Sequence, residues 1–157
     1  MGASPDEGPG ADEASVRTTN HVDVALPRER VVDLYTCQEL LPSWSPGLIS
    51  FEQVGEGVFR QRYVVMGREI DERLTVVALD LPRRLHTRAD SGGGLTRDSE
   101  VTFDALDEAT TRVVVHNRFS GDPIAHLVPE DLHGYTQRFL EVFQAFAEGR
   151  EGADPRG

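Results

Sequence analysis

The sequence predicts an α+β domain in which a seven-stranded antiparallel sheet receives one long C-terminal helix. Three observations lead to this fold class. Residues 129–149 have the apolar period of an amphipathic helix, residues 48–119 alternate in short segments separated by turns, and residues 16–41 fit one strand followed by two short helices. Because no second helical period occurs between residues 48 and 119, the strands are expected to be joined by hairpins and therefore to be antiparallel.

The long helix is predicted to begin at Pro129 and to end at Gly149. Proline suits the first helical position, and Glu130 and Asp131 lie where the helix dipole favours anions. At about 100° per residue its apolar side chains fall on one arc, with Leu140 at the margin. That face consists of Leu132, Tyr135, Thr136, Phe139, Val142, Phe143, Phe146 and Ala147. The opposite face consists of Gln137, Arg138, Glu141, Gln144 and Glu148.

The segment before the main run of strands contains three short elements and a turn. Residues 16–25 alternate as a first strand, a helix opens after Pro27, and residues 37–41 fit a second short helix. Residues 41–47, with the sequence LPSWSPG, are predicted to form a rigid turn that holds the only tryptophan, Trp44. We interpret Trp44 as a packing anchor, with a ligand contact as the alternative.

Six further strands are predicted, and their alternation assigns one apolar face to the helix. They span residues 48–54, 58–66, 69–79, 84–90, 96–106 and 111–119. The same inner face also carries polar side chains, namely Gln61, Tyr63, Glu72, Thr87 and Asn117, with Tyr135 arriving from the helix. Because buried polar groups cost free energy unless they find partners, this convergence indicates a wet or ligand-filled cavity. The alternative is a one-residue error of phase or a bulge, which would return these residues to solvent and place Arg73 inside instead of Glu72.

Length and composition limit the class of protein. A chain of 157 residues without a long apolar run fits one domain, at residues 16–149, flanked by tails at 1–15 and 150–157 that we expect to be disordered. The N-terminal tail has no apolar segment for export, and a single cysteine, Cys37, excludes an internal disulfide framework. We therefore expect a cytoplasmic protein without a membrane span.

Charge and residue types exclude several functions. The net charge of -11 and the lack of a basic patch argue against binding to nucleic acid. All 16 basic residues are arginine, which excludes lysine Schiff bases and covalent attachment of pyridoxal phosphate. The five histidines show no metal-ligand spacing, so we expect neither a metal site nor a cofactor.

The order of the elements resembles the START-like, or SRPBCC, helix-grip superfamily over about residues 17–148. Three segments are similar to its polyketide cyclase/dehydrase-like members: VALP at residues 24–27, LPSWSPG at 41–47 and DLPRRL at 80–85. The resemblance implies a curved sheet that grips the long helix, with an elongated cavity between them for an apolar or aromatic small molecule. It does not decide catalysis, because the superfamily includes cyclases, lipid and quinone carriers and hormone receptors.

The candidate ligand-binding residues come from the inner face of the sheet, the turn before it and the closing helix. They are Trp44, Phe59, Gln61, Leu74, Thr87, Val101, Phe103, Val115, Asn117, Phe119, Leu132 and Phe139. We expect the mouth of the cavity near Trp44 and residues 91–94.

The candidate catalytic residues are Glu72, Tyr63 and Tyr135. Glu72 is in phase with apolar neighbours, and burial disfavours the charged form of a carboxylate, which suits a general acid or base. The two tyrosines would orient or protonate a ligand carbonyl. The alternative for Glu72 is a rim carboxylate paired with an arginine.

Three classes of function therefore stay open. They are a cofactor-independent cyclase or dehydratase acting on a polyketide-like substrate, a carrier or sensor of a hydrophobic ligand, and a protein-interaction module. We expect a monomer or a homodimer.

Overall fold

The computed structural model describes residues 15–65, 67–91, 94–121 and 128–153, with the backbone alone described for 150–153. The elements are β1 (Ser15–Val24), α1 (Arg28–Thr36), a 3-10 turn (Gln38–Leu40), α2 (Leu41–Trp44), β2 (Leu48–Gly55), β3 (Val58–Val65), β4 (Arg68–Asp80), β5 (Arg84–Asp90), β6 (Thr96–Asp107), β7 (Thr110–Ser120) and α3 (Pro129–Ala153). The predicted fold class is confirmed, because seven antiparallel strands form one sheet against which the long helix packs.

The strands lie in the order β1-β7-β6-β5-β4-β3-β2, so all seven belong to one curved sheet. The register shifts in the β2/β3, β4/β5 and β6/β7 ladders, and such bulges bend and twist the strands. In the β4/β5 ladder, the end of β5 at Asp90 lies opposite Arg73. The first part of β4, which includes Glu72, therefore pairs with β3 and runs past the end of β5.

The free edge of β1 is covered by polar side chains of α3. Three hydrogen bonds join Gln137 to the His21 carbonyl (3.2 Å), Gln144 to the Asp23 carbonyl (2.6 Å) and Glu148 to the Ala25 amide (2.9 Å). The sequence placed these three helix residues on the side away from the sheet, and that prediction was wrong. An edge strand presents unpaired backbone groups, and here the polar flank of the helix satisfies them.

The buried face of α3 differs by part of a turn from the predicted face. Leu132, Thr136, Leu140, Phe143 and Ala147 are buried, so Leu140 lies at the centre of this face and not at its margin. The reason is that the helix packs chiefly against β1 and the two short helices. The other predicted members, among them Tyr135, Phe139, Val142 and Phe146, keep partial exposure.

Trp44 belongs to the core, as the packing interpretation required. It is 2% exposed, and its ring centroid lies 4.7 Å from that of Phe143, 5.1 Å from Phe139 and 5.3 Å from Tyr35. Its predicted place at a cavity mouth was therefore wrong. The turn predicted around it is partly helical, because Pro42 lies at the start of α2, where proline is tolerated.

The predicted tails fall mostly outside the described residues. Positions 1–14 and 154–157 lie outside them, whereas Ser15 begins β1 and residues 150–153 continue α3 beyond the predicted end at Gly149. In the part of the chain that the structure describes, no helix is both long and apolar enough to cross a membrane.

Candidate functional site

A cluster of polar side chains lies on the inner face of β3, β4 and β6. Gln61 and Glu72 are direct cross-strand partners, and the Gln61 Nε2 amide donates to Glu72 Oε1 at 2.6 Å. The Tyr63 hydroxyl donates to the other carboxylate oxygen, Glu72 Oε2, at 3.0 Å. Glu72 is only 4% exposed, so the predicted phase of β4 was right and a buried carboxylate faces the helix side of the sheet.

Arg97 completes this cluster from β6. Its Nη2 donates to Glu72 Oε1 at 3.0 Å, and its Nη1 donates to the Tyr63 oxygen at 3.2 Å. In the sheet register Ala89 of β5 lies beside Arg97, and Leu74 of β4 lies beside Ala89. The methyl group of Ala89 is small enough to let the long arginine side chain cross β5 and reach the carboxylate on β4.

Glu72 and Arg97 form an ion pair within the protein. The Arg97 side chain is 23% exposed, against 4% for Glu72, so the pair is largely desolvated while part of the arginine side chain still reaches the surface. Burial by itself lowers the pKa of Arg97, but the charge of Glu72 and the contacts with Tyr63 outweigh it and raise that pKa. Arg97 therefore stays charged, and the pair contributes no net charge to the inner face.

The three tyrosines of the chain are all neutral near pH 7. Burial raises the pKa of Tyr63 to about 12, against the lowering effect of Arg97. Burial also raises the pKa of Tyr35 to about 12 and raises the pKa of Tyr135, and in both cases Arg97 partly opposes the shift. Of the three, Tyr63 contacts the Arg97 guanidinium directly, at 3.2 Å.

This arrangement predicts a late alkaline titration. Because the folded pKa of Tyr35 and Tyr63 exceeds the usual value near 10, the unfolded state loses these protons first. The contribution of these two tyrosines to the free energy of unfolding should be fully present below about pH 10 and should be lost as the pH rises from about 10 to 12. We expect the tyrosinate absorbance of Tyr35 and Tyr63 in the folded protein to rise with a midpoint near pH 12, with the guanidinium-unfolded chain titrating near pH 10 as the control. A midpoint near pH 10 in the folded protein would contradict the burial of these rings.

The apolar surface beside the cluster is only partly covered. Val24, Val113 and Phe103, near β1 and α1, are at most 1% exposed. Ile70, Leu74 and Val76 on β4 face the same side but are only half-buried. The helix and the short helices thus seal the β1 end of the inner face and leave the β4 end more open.

The other predicted ligand-binding residues separate into three groups. Val101, Phe103 and Val115 pack in the main core, whereas Phe119 and Leu132 form a second small cluster. Phe59 stacks on Phe51 with ring centroids 5.1 Å apart, and Leu74, Thr87 and Phe139 are half-buried.

Asn117 is occupied within the fold. The Ser99 hydroxyl donates to its Oδ1, and its Nδ2 donates to the Thr136 hydroxyl at 3.4 Å. Asn117 therefore joins β6 and β7 to α3, and this structural bond explains its inward phase. Of the predicted mouth, Gly92 and Gly93 lie outside the described residues.

Sequence reasoning missed Arg97, although a signal was present. The alternation of β6 over residues 99–105 predicted that Val101, Phe103 and Ala105 face inward. Extended two steps towards the N-terminus, it passes through Ser99 to Arg97, and both residues face inward. The alternative for Glu72, a carboxylate paired with an arginine, was thus correct about the partner, but the pair is buried and not at a rim.

Two surface grooves are lined mostly by outward-facing polar and charged side chains of the sheet. One of about 340 Å³ is lined by paired polar groups that include His86, Asp98 and His116. The other, of about 510 Å³, runs along Arg60, Asp71 and Arg73 and reaches Glu72 and Ser91, where β4 extends past β5. In both grooves polar and charged side chains bond to each other, as in the Arg60–Asp71 ion pair and the His86–Asp98 contact. We therefore place the candidate site on the inner face, where the uncovered surface is apolar.

Comparison with models of protein families and with curated proteins found no match. Solved structures do match. A norcoclaurine synthase mutant from Thalictrum flavum in complex with a transition-state analogue has a TM-score of 0.71 at 12% identity, covering 89% of this chain and 98% of its own. An aromatase/cyclase from Streptomyces sp. R1128 has a TM-score of 0.68 at 21% identity, covering 88% and 96%. A START superfamily protein from Mycobacterium smegmatis has a TM-score of 0.68 at 16% identity, covering 88% and 99%. These similarities show that the chain has the START-like helix-grip fold.

Proposed function

We propose that this protein binds a small apolar or aromatic molecule between the inner face of the sheet and α3, with an oxygen atom of that molecule on Arg97. One observation carries the proposal. The buried cluster of Glu72, Arg97 and Tyr63 stands beside an apolar face that the helix leaves partly uncovered. Apolar surface with a few converging polar groups is typical of small-molecule sites.

The apolar part of the site consists of side chains that the fold does not fully bury. Leu74 and Val76 of β4 and Phe139 of α3 are half-buried, and Phe59 lies beside them at the β3 end. Filling this space with a flat apolar molecule would remove their remaining surface from water, at about 25 cal/mol per Å². An aromatic or polycyclic ligand offers the largest such gain.

The polar part of the site supplies hydrogen-bond donors. Arginine has five N–H groups, and among the described residues Arg97 donates to Tyr63 and Glu72. In the proposal, a remaining N–H group of Arg97, whose side chain is 23% exposed, donates to the ligand oxygen. The Tyr135 hydroxyl, protonated at neutral pH because burial raises its pKa, is a further donor on the helix side.

The structural neighbours support a small-molecule ligand. One is described as an aromatase/cyclase, and another is a norcoclaurine synthase solved in complex with a transition-state analogue, so the same fold holds a small organic molecule in the synthase. The finer assignment, a polyketide cyclase or dehydratase with Glu72, Tyr63 and Tyr135 as catalytic residues, stays a prediction. Glu72 accepts hydrogen bonds on both oxygens and pairs with Arg97, which suits holding the arginine in place better than removing a proton from a substrate.

Binding of prodan, a neutral naphthyl ketone whose emission depends on its surroundings, tests the proposal. We expect saturable binding with a blue-shifted emission and a change in the fluorescence of Trp44, which lies behind Phe139. Leu74→Trp should abolish this binding, because the larger ring fills the space beside Ala89 and Phe59.

The matched control is Val64→Trp, which adds the same ring on the exposed outer side of the neighbouring strand. It should leave prodan binding unchanged, and circular dichroism should show both variants folded. Unchanged binding in the folded Leu74→Trp variant would place the dye elsewhere and overturn the proposal.

A further inference from the structure

Among the described residues, the inner face of the sheet carries one ion pair and little other charge. By the register of the ladders, the described inward residues of β1, β3, β5 and β7 are uncharged. Apart from Arg68 at the exposed start of β4, Glu72 and Arg97 are the charged side chains on this face of the described strands. Their charges cancel at a separation of 3.0 Å.

The other groups that face this pair are also neutral. Gln61 carries no charge, and the hydroxyls of Tyr63, Tyr135 and Tyr35 keep their protons at pH 7, since the ordinary pKa of tyrosine is near 10 and burial raises the pKa of each further. The inward side chains of α3, among them Leu132, Thr136 and Phe139, are uncharged as well. The described lining therefore offers hydrogen-bond donors without a free counter-charge.

We propose that this site accepts neutral ligands and rejects carboxylates and ammonium groups, and that the Glu72–Arg97 pair determines this selectivity. The inference rests on the proposed function. A carboxylate brought into the site must give up its hydration and would compete with Glu72 for Arg97, leaving one of the two anions unpaired. An ammonium group would compete with Arg97 for Glu72 in the same way. A ketone, phenol or amide oxygen accepts a hydrogen bond from Arg97 without disturbing the pair.

A series of naphthalenes of similar shape tests the selectivity. The probes are 2-acetylnaphthalene, 2-naphthoate and 2-naphthylmethylammonium, measured by calorimetry at pH 7 or by displacement of prodan. We expect the neutral ketone to bind at least about ten-fold more tightly than either ion, because each ion meets an unpaired charge in a desolvated site.

Removing one partner of the pair should invert the selectivity. In Glu72→Gln the positive charge of Arg97 is left unpaired, so naphthoate should become the preferred probe by about ten-fold. In Arg97→Gln the carboxylate of Glu72 is left unpaired, so naphthylmethylammonium should become preferred. The double variant Glu72→Gln/Arg97→Gln should return to the neutral ketone.

Glu69→Gln and Arg62→Gln are the matched controls. Each removes one charge of the same sign as its inner counterpart, but from an exposed ion pair on the outer face of the β3/β4 ladder, and should leave the wild-type order of probes unchanged. If a single inner variant fails to fold, the wild-type series and the double variant still test the proposal.

The outcomes separate the two proposals. Absence of binding by both prodan and 2-acetylnaphthalene overturns the proposed function itself. Binding of the ketone with equal affinity for naphthoate, or with an order of probes that stays the same in the inner variants, overturns the charge selectivity alone.

Discussion

Replacing Arg97 with glutamine is expected to lower the free energy of unfolding by about 3 kcal/mol, at the lower end of the cost of breaking a buried ion pair. The cost arises because the Glu72 carboxylate, which is 4% exposed, stays buried but loses the positive charge that it pairs with. Gln61 and Tyr63 still donate to the carboxylate, and 23% of the Arg97 side chain is accessible, so the cost should not reach the upper end of that range. Denaturant unfolding of both proteins at pH 7 measures the difference.

A double-mutant cycle separates the pair from the single residues. Glu72→Gln alone should also destabilise, whereas the double variant should cost less than the sum of the two, because neither charge is then left alone. Arg62→Gln, which breaks an exposed pair with Glu69 on the outer face, should change stability by less than about 1 kcal/mol. Additive effects in the inner cycle would mean that Glu72 and Arg97 do not interact in solution.

The fold was predictable because each of its elements leaves a local signal. Period-two alternation with turn residues between segments fixed the seven strands to within about two residues. Pro129 and the acidic residues after it marked the start of α3 correctly, because helix starts depend on local chemistry. Gly149 did not stop the helix, since a glycine permits a helix end without requiring one.

The candidate site was predictable only in part, because its geometry depends on contacts between distant strands. Gln61, Tyr63 and Glu72 lie on adjacent strands joined by one hairpin, so alternation alone brought them together. Arg97 of β6 reaches them across β5, past the small side chain of Ala89. No local sequence pattern indicates that the residue of β5 lying between β4 and Arg97 has a small side chain.

The helix face shows the same limit for packing. Hydrophobic periodicity gives the direction of an apolar arc but not the element that covers it. Here the centre of the apolar arc packs against β1 and the short helices. Polar residues beside the arc form hydrogen bonds with the free edge of β1. Phe139 and Phe143, both predicted to face the sheet, therefore have different surroundings.

Phe143→Ala is expected to lower the free energy of unfolding by about 3 to 5 kcal/mol, the usual cost of truncating a fully packed phenylalanine. Phe143 is 0% exposed, and its ring lies 4.7 Å from that of Trp44 and 5.2 Å from that of Tyr35, centroid to centroid. Truncation removes these contacts and leaves a cavity beside Tyr35 and Trp44.

Phe139→Ala is the matched comparison, because it removes the same ring from the same helix. Phe139 also contacts Trp44, at 5.1 Å, but it is only half-buried and borders the uncovered part of the inner face. Its truncation should cost clearly less stability than that of Phe143, and it should weaken prodan binding more, because the ring belongs to the proposed site. Equal losses of stability in the two variants would mean that Phe139 is fully packed and that the site does not extend to α3.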